Sequence, residues 1–158
     1  MKGDVFLRML RDANALAPGT HEIARPLSPS ERSRWKSRNP SLKLPNDLLG
    51  FLKKANGIRF FLDPQSPIGA AGRLLPLGEI RTATELLYQD QEEEDEALPG
   101  SWLALTDDAD GAQYLVLDVR KRVYLDVDPA DPEDAEAIGQ TFENALDWLC
   151  RRYADVVK

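Results

Sequence analysis

The chain has few of the residues from which catalytic and metal sites are usually built. Its 158 residues include a single cysteine, Cys150, and a single histidine, His21. One cysteine cannot form an internal disulfide, and no His-His or Cys-His metal set can be assembled. The sequence also lacks a G-x-S-x-G motif, a glycine-rich phosphate loop and zinc-ligand spacing. We therefore expect no catalytic residue, no metal and no cofactor, and we predict that the protein is not an enzyme.

Long apolar segments are missing as well. No run approaches the roughly 20 apolar residues that a transmembrane helix needs. Near the N-terminus, charged residues such as Asp4, Arg8 and Arg11 interrupt the hydrophobic region that a signal peptide would require. These absences predict a cytoplasmic protein that does not bind a membrane.

Charge is unevenly distributed along the chain. The formal net charge is -7, yet residues 1–60 hold 12 Lys or Arg against 5 Asp or Glu, whereas residues 61–158 hold 8 against 22. An acidic surface attracts a basic partner and repels nucleic acid. We therefore expect a basic protein partner and no binding of nucleic acid.

Residues 44–61 have the clearest local pattern, a helix followed directly by a strand. Apolar residues recur at helical spacing over 44–55, with Pro45 in the first turn and Asn56-Gly57 as the stop signal. Ile58, Phe60 and Leu62 then alternate with Arg59 and Phe61, which is the period of a half-buried strand. We expect this helix to lie near the centre of the fold.

Four other helices are predicted from capping patterns and apolar periods. They cover residues 5–17, 28–38, 82–90 and 131–153. Ser28 with Glu31, and Thr82 with Glu85, have the spacing of a capping box. The last helix is predicted from the Asp-Pro start at 131–132 and from apolar residues at steps of three or four, although Gly139 weakens it. Residues 20–27 are expected to form a loop.

The C-terminal half also predicts strands. Residues 102–106 and 112–119 are apolar segments joined by Asp107-Asp108-Ala109-Asp110-Gly111, a connection typical of a hairpin, and residues 122–127 follow after a tight turn. Residues 73–77 predict a short edge strand, because Pro76 cannot donate to a ladder. The fold class is therefore α+β: a single domain with an antiparallel or mixed sheet, a central meander, and helices packed on one face.

Several of these segments resemble the SUKH superfamily, whose members include fungal cell-wall synthesis regulators and bacterial immunity proteins. The run Leu44-Pro45, Phe51-Leu52 and Asn56-Gly57 is similar to its LP…FL…NG signature, residues 102–118 to its W…DGxxYLxLD hairpin, and residues 138–149 to its closing helix. The resemblance extends from about residue 28 to 153. It implies a SUKH-like domain over 28–158, with the helix and loop of residues 1–27 forming one compact unit with it.

The resemblance implies that the protein acts by binding another protein. The first hypothesis is an immunity protein that neutralises a cognate polymorphic toxin, such as a basic nuclease, by non-covalent occlusion. The alternative is an intracellular regulatory or scaffold protein of the cell-wall synthesis regulator type.

The acidic residues are the candidate partner-binding residues, because rim charges set association rate and partner choice. The alternative for the acidic run is a solvated loop, and for residues 107–111 a calcium loop, which fails because Thr106 and Leu117 would occupy two ligand positions. His21 is expected to be a solvated loop residue and Cys150 a small apolar side chain of the last helix. The predicted contact residues are Asp90, Glu92, Glu93, Glu94, Asp95, Glu96, Asp107, Asp108 and Asp110.

Overall fold

The computed structural model describes residues 1–88 and 98–154. Within them the chain forms five α-helices and nine strands, which confirms the α+β class. The helices are α1 (Gly3–Leu16), α2 (Pro29–Arg38), α3 (Asn46–Leu52), α4 (Ala83–Leu87) and α5 (Phe142–Leu149). The strands are β1 (Glu22–Ile23), β2 (Ile58–Leu62), β3 (Ala70–Leu74), β4 (Arg81–Thr82), β5 (Trp102–Ala104), β6 (Thr106–Asp108), β7 (Tyr114–Asp118), β8 (Val123–Val127) and β9 (Glu136–Gly139).

The strands form two antiparallel sheets rather than the single sheet that we expected. One has the order β1-β2-β3-β6 and the other β4-β5-β7-β8-β9. Leu105, between β5 and β6, joins them. Its N–H donates to the carbonyl of Leu115 at 2.9 Å, and its carbonyl accepts from the N–H of Leu75 at 2.8 Å. The chain thus passes from one sheet to the other without a loop.

This passage corrects the predicted hairpin. Asp107 and Asp108 belong to β6, which pairs with β3, and only β5 pairs with β7. The turn begins later, where the N–H of Gly111 donates to the carbonyl of Asp108 at 3.2 Å. The central and third strands of the meander, β7 and β8, are confirmed.

The predicted edge strand over 73–77 is wrong both in its residue range and in its place within the sheet. The strand β3 starts earlier, at Ala70, and lies between β2 and β6 inside its sheet. Pro76 falls beyond the end of β3, so no ladder hydrogen bond is lost to its missing N–H. The predicted loop over 20–27 likewise contains the short strand β1.

The central helix is confirmed but is shorter than the apolar period indicated. It begins after Pro45, the N-cap, and ends at Leu52, while Leu44 and Ala55 are buried outside it. Gly57 has a φ of +105°, and a Cβ there would lie 3.0 Å from the nitrogen of Pro76. Glycine is therefore required where the chain leaves the helix for β2.

The long C-terminal helix predicted over 131–153 is wrong in its first half. Residues 136–139 form β9, which pairs with β8 through an irregular register. The helix begins only after Thr141, whose side chain accepts a hydrogen bond from the N–H of Asn144 in a capping box. Gly139, with a φ of +156°, ends the strand. After α5, a π-helical turn spans Cys150–Ala154.

The helices α1 and α2 are confirmed. Ser28 and Glu31 form the predicted capping box at the start of α2. The N-terminal helix packs on the same core as the rest of the chain: ring centroids of Phe6 and Phe51 are 6.3 Å apart, and those of Phe51 and Phe142 are 5.1 Å apart. The core thus lies where α1, α3 and α5 meet the sheets. In the described residues, no helix is both long and apolar enough to cross a bilayer.

Candidate functional site

The predicted acidic contact residues fall into two groups. Asp90, Glu92, Glu93, Glu94, Asp95 and Glu96 lie outside the described residues. The other three, Asp107, Asp108 and Asp110, lie on or just after β6. Their different environments decide what each can do.

Asp108 is a buried structural carboxylate. Its side chain is 2% exposed, accepts a hydrogen bond from the Oη of Tyr153 at 2.6 Å, and forms an ion pair with Arg152. Burial, and then the neighbouring carboxyl of Asp110, raise the pKa of Asp108 above its ordinary value. In this conformation Asp108 faces the interior of the protein rather than a partner.

Tyr153 fixes the position of this cluster. Its ring stacks on Phe60 at 4.5 Å between centroids and lies over Gly72, where a Cβ would approach the Oη to 2.3 Å. The π-helical turn after α5 is therefore docked on the sheet that contains β2 and β3. The cluster of Asp108, Arg152 and Tyr153 holds the C-terminal part of the described chain in place.

The two other β6 acids differ in exposure. The side chain of Asp107 is 13% exposed, and its Oδ2 lies 3.6 Å from the Nη2 of Arg73. The Nη1 of Arg73 also pairs with Glu79 at 3.2 Å. Asp110 is 68% exposed and pairs with Arg152 at 3.3 Å. Of the three, Asp110 is thus the one most accessible to a partner.

His21 is not the solvated loop residue that we expected. It is 5% exposed, its Nδ1 accepts a hydrogen bond from the N–H of Phe61 at 3.1 Å, and its ring packs edge-on against Phe60 and Phe61. Burial lowers the pKa of His21. Its role in the fold is to satisfy a backbone N–H of β2. Cys150 is half-buried and packs against the core, in line with its predicted role as a small apolar side chain.

A groove lies between β5, β8 and the loop 128–135. It has a volume of about 770 Å³. Trp102 and Leu125 form part of its floor, and the Nε1 of Trp102 is held by Asp118 at 3.2 Å. The Oη of Tyr88 donates to the carbonyl of Pro129 at 3.1 Å, which ties the loop to the end of α4. We call this the acidic groove; its lining residues are Leu98, Pro99, Trp102, Leu125, Pro129, Ala130, Asp131, Pro132, Glu133 and Ala135.

The rim of the acidic groove has a strong negative charge. All of its acidic residues are exposed, and within residues 1–88 and 98–154 none forms an ion pair with a Lys or Arg. Asp134 raises the pKa of Asp131 through a hydrogen bond and through its negative charge. The charges of Glu133 and Asp128 raise this pKa by smaller amounts. Carboxylates therefore crowd here without a balancing cation. Asp131 and Glu133 line the groove, and Asp128, Asp134 and Glu136 are exposed acids of the same segment; we call these five the rim acids.

Sequence reasoning missed this groove, because it assigned residues 131–139 to a helix. A signal was present: between Arg122 and Arg151 the chain has no Lys or Arg, but it has eight Asp or Glu. The strand β9 and the 3₁₀ turn Pro132–Asp134 bring part of this run to one rim. Apolar floor and charged rim together have the anatomy of a protein-interaction surface. The described residues contain no group of three or more His, Cys, Asp or Glu side chains able to hold a metal ion.

The architecture is that of a single α+β domain built from two antiparallel sheets. The chain belongs to the SMI1 / KNR4 family (SUKH-1), whose model matches residues 28–149. This match confirms the resemblance to the SUKH superfamily and includes the segments at 44–57, 102–118 and 138–149 that carried it. A comparison with curated proteins gives no match.

Proposed function

We propose that this protein is an immunity protein that neutralises a cognate toxin by binding it non-covalently in the cytoplasm, without catalytic turnover. Membership of the SUKH-1 family supports a role of this kind. The observation that carries the proposal is the acidic groove: an apolar floor that includes Trp102, with a rim of exposed carboxylates that form no ion pair with a cation of the described residues. Such a surface fits a basic protein rather than a nucleic acid or a membrane.

The floor and the rim would have different roles in binding. An apolar or aromatic side chain of the toxin, inserted beside Trp102 and Leu125, would supply most of the affinity. The carboxylates of Asp131 and Glu133 would speed association and select a basic partner, because charges at an interface rim act mainly on the association rate. A nuclease fits this description, since its own nucleic-acid site is basic. The toxin is neutralised if the bound protein covers the nucleic-acid site of the toxin.

Partner capture tests this proposal. Tagged protein is expressed in its native cells, recovered with washes at low and high salt, and its bound proteins are identified by mass spectrometry. We expect one stoichiometric, salt-resistant partner that stops growth when it is expressed alone and no longer does so when this protein is co-expressed. Several weak, salt-sensitive partners without toxicity would instead favour the regulatory or scaffold role.

A neutralised variant tests the predicted acidic contacts that lie outside the acidic groove. Neutralising Asp90 and the acids of 92–96 to Asn or Gln tests the predicted contact there, together with Asp110 on the exposed side of β6. We expect weaker protection against the toxin with an unchanged midpoint of unfolding. Full protection by a folded variant would remove these residues from the interface.

A further inference from the structure

A second groove with the opposite charge lies between α2 and the segment 40–44. Its volume is about 290 Å³, near the lower end of the roughly 300–1,000 Å³ of ligand pockets. We call it the α2 groove. Its lining residues are Arg32, Trp35, Lys36, Pro40, Ser41, Leu42, Lys43, Leu44, Asn46, Leu49 and Leu77.

The floor of the α2 groove is apolar and fixed in position. Trp35, Leu44 and Leu77 are 5%, 4% and 0% exposed, so each is part of the core and is held by it. The Nε1 of Trp35 donates to the carbonyl of Ile80 at 3.5 Å, which orients the indole ring. Leu49, only partly buried, completes the floor. A ligand would therefore meet a preformed apolar surface, with little loss of side-chain entropy on the protein's part.

Three exposed cations line the same groove. Arg32 and Lys36 lie four residues apart on α2, hence on one helix face, and Lys43 lies on the opposite wall. None of the three forms an ion pair within the described part of the chain. They are unbalanced cations beside an apolar floor.

The acidic side chains of α2 and α3, Glu31 and Asp47, are engaged elsewhere. Glu31 accepts from the N–H of Ser28 at 3.2 Å and from the side chain of Asn56 at 3.3 Å. Asp47 accepts from the backbone N–H groups of Leu48 and Phe142 at 2.8 and 2.7 Å. Because both carboxylates already cap or bridge structure, neither of them compensates the positive charge of the groove.

We propose that the α2 groove binds an acidic polypeptide segment, with one apolar side chain in the floor and flanking carboxylates on Arg32, Lys36 and Lys43. The volume suits a single side chain and the charge suits carboxylates. A nucleic acid fits less well, because the whole chain has a net charge of -7 and only three cations line this groove. This site is independent of toxin neutralisation, and it would let the domain hold a second, acidic partner.

Selection from displayed random short peptides tests the proposal without any toxin. The protein is used in three forms: wild type, Lys36→Glu with Lys43→Glu, and the control Arg120→Glu with Lys121→Glu, which makes the same charge change on exposed residues outside the groove. We expect peptides selected on the wild type to combine Asp or Glu with an apolar side chain. One such peptide should shift the indole N–H resonance of Trp35 and bind the groove variant about tenfold more weakly than the control.

Each other result decides against the proposal. Selected peptides without acidic residues, or equal loss of binding in both charge variants, would refute it, provided that the variants unfold at the wild-type urea midpoint. Tighter binding of an oligothymidylate, lost in the groove variant, would assign the groove to nucleic acid. Self-association in sedimentation, lost in the same variant, would assign it to a second copy of this chain.

Discussion

Truncation of the buried carboxylate, Asp108→Ala, should be among the most destabilising single changes in the chain. The side chain is 2% exposed and bonds the Oη of Tyr153 and the guanidinium of Arg152. Its loss leaves a buried hydroxyl without an acceptor, at a cost of roughly 1–3 kcal/mol, and breaks an ion pair whose one-sided removal costs roughly 3–5 kcal/mol when fully buried. Arg152 is 25% exposed, so water recovers part of the second cost. We expect a net loss of about 3 kcal/mol.

Urea unfolding measures this loss, with Asp110→Ala as the matched control. Asp110 is two residues away, bonds the same Arg152, but is 68% exposed, so its truncation should cost less than about 1 kcal/mol. With an m-value of roughly 1–3 kcal/mol per molar, Asp108→Ala should lower the urea midpoint by about 1 M or more. Equal midpoints for the two variants would refute the reasoning that burial makes the Asp108 cluster structural.

Three further changes test other parts of the fold by the same unfolding measurement. Tyr124→Phe should be neutral or stabilise by up to about 1 kcal/mol, because the buried Oη of Tyr124 has no hydrogen-bond partner among the described residues; a loss of more than about 1 kcal/mol would contradict this. Gly72→Ala should cost about 2 kcal/mol or more, because the new Cβ would meet the ring of Tyr153, and a neutral effect would show that this ring is not packed there. Burial lowers the pKa of His21, so the stability that it contributes is present above about pH 6.5 and is lost as the pH falls below that value. His21→Asn, which retains an acceptor for the N–H of Phe61, should flatten the dependence of unfolding free energy on pH between about 7.5 and 5.5; an unchanged slope would exclude His21 as its source.

Helix starts could be predicted from the sequence because their signals are local. The capping box of Ser28 and Glu31 was visible as a spacing, and it forms as predicted. The apolar stripe at 44–55 correctly placed Leu48, Phe51 and Leu52 in the core. Periodicity overstated the length of that helix, because Leu44 and Ala55 are buried without being helical.

The division into two sheets could not be predicted, because it depends on long-range pairing. The segment 102–108 is one extended stretch, yet its first half pairs with β7 and its second half with β3. Likewise, the apolar residue Ile138 fits a helical period with Phe142, but its strand pairs with β8 instead. The start of the helix is instead set by the capping box of Thr141 and Asn144.

From the sequence, only the acidic character of the candidate site could be predicted. The excess of carboxylates after residue 60 was evident, but which of them share a surface depends on β9 and the loop 128–135. Asp108 shows the reverse case: an acidic residue in a turn-like sequence that the fold buries against Tyr153. Sequence spacing alone does not distinguish burial from exposure for these acids, because both depend on which distant strands pair.

The most direct test of the central claim is protection of growth against the captured toxin by charge-reversed protein. Asp131→Lys with Glu133→Lys reverses two rim charges of the acidic groove, and Asp12→Lys with Asp63→Lys makes the same change at exposed positions outside it. Both variants are first checked for the wild-type urea midpoint. We predict that the control protects cells as the wild type does and that the groove variant does not. Full protection by the folded groove variant would contradict the account.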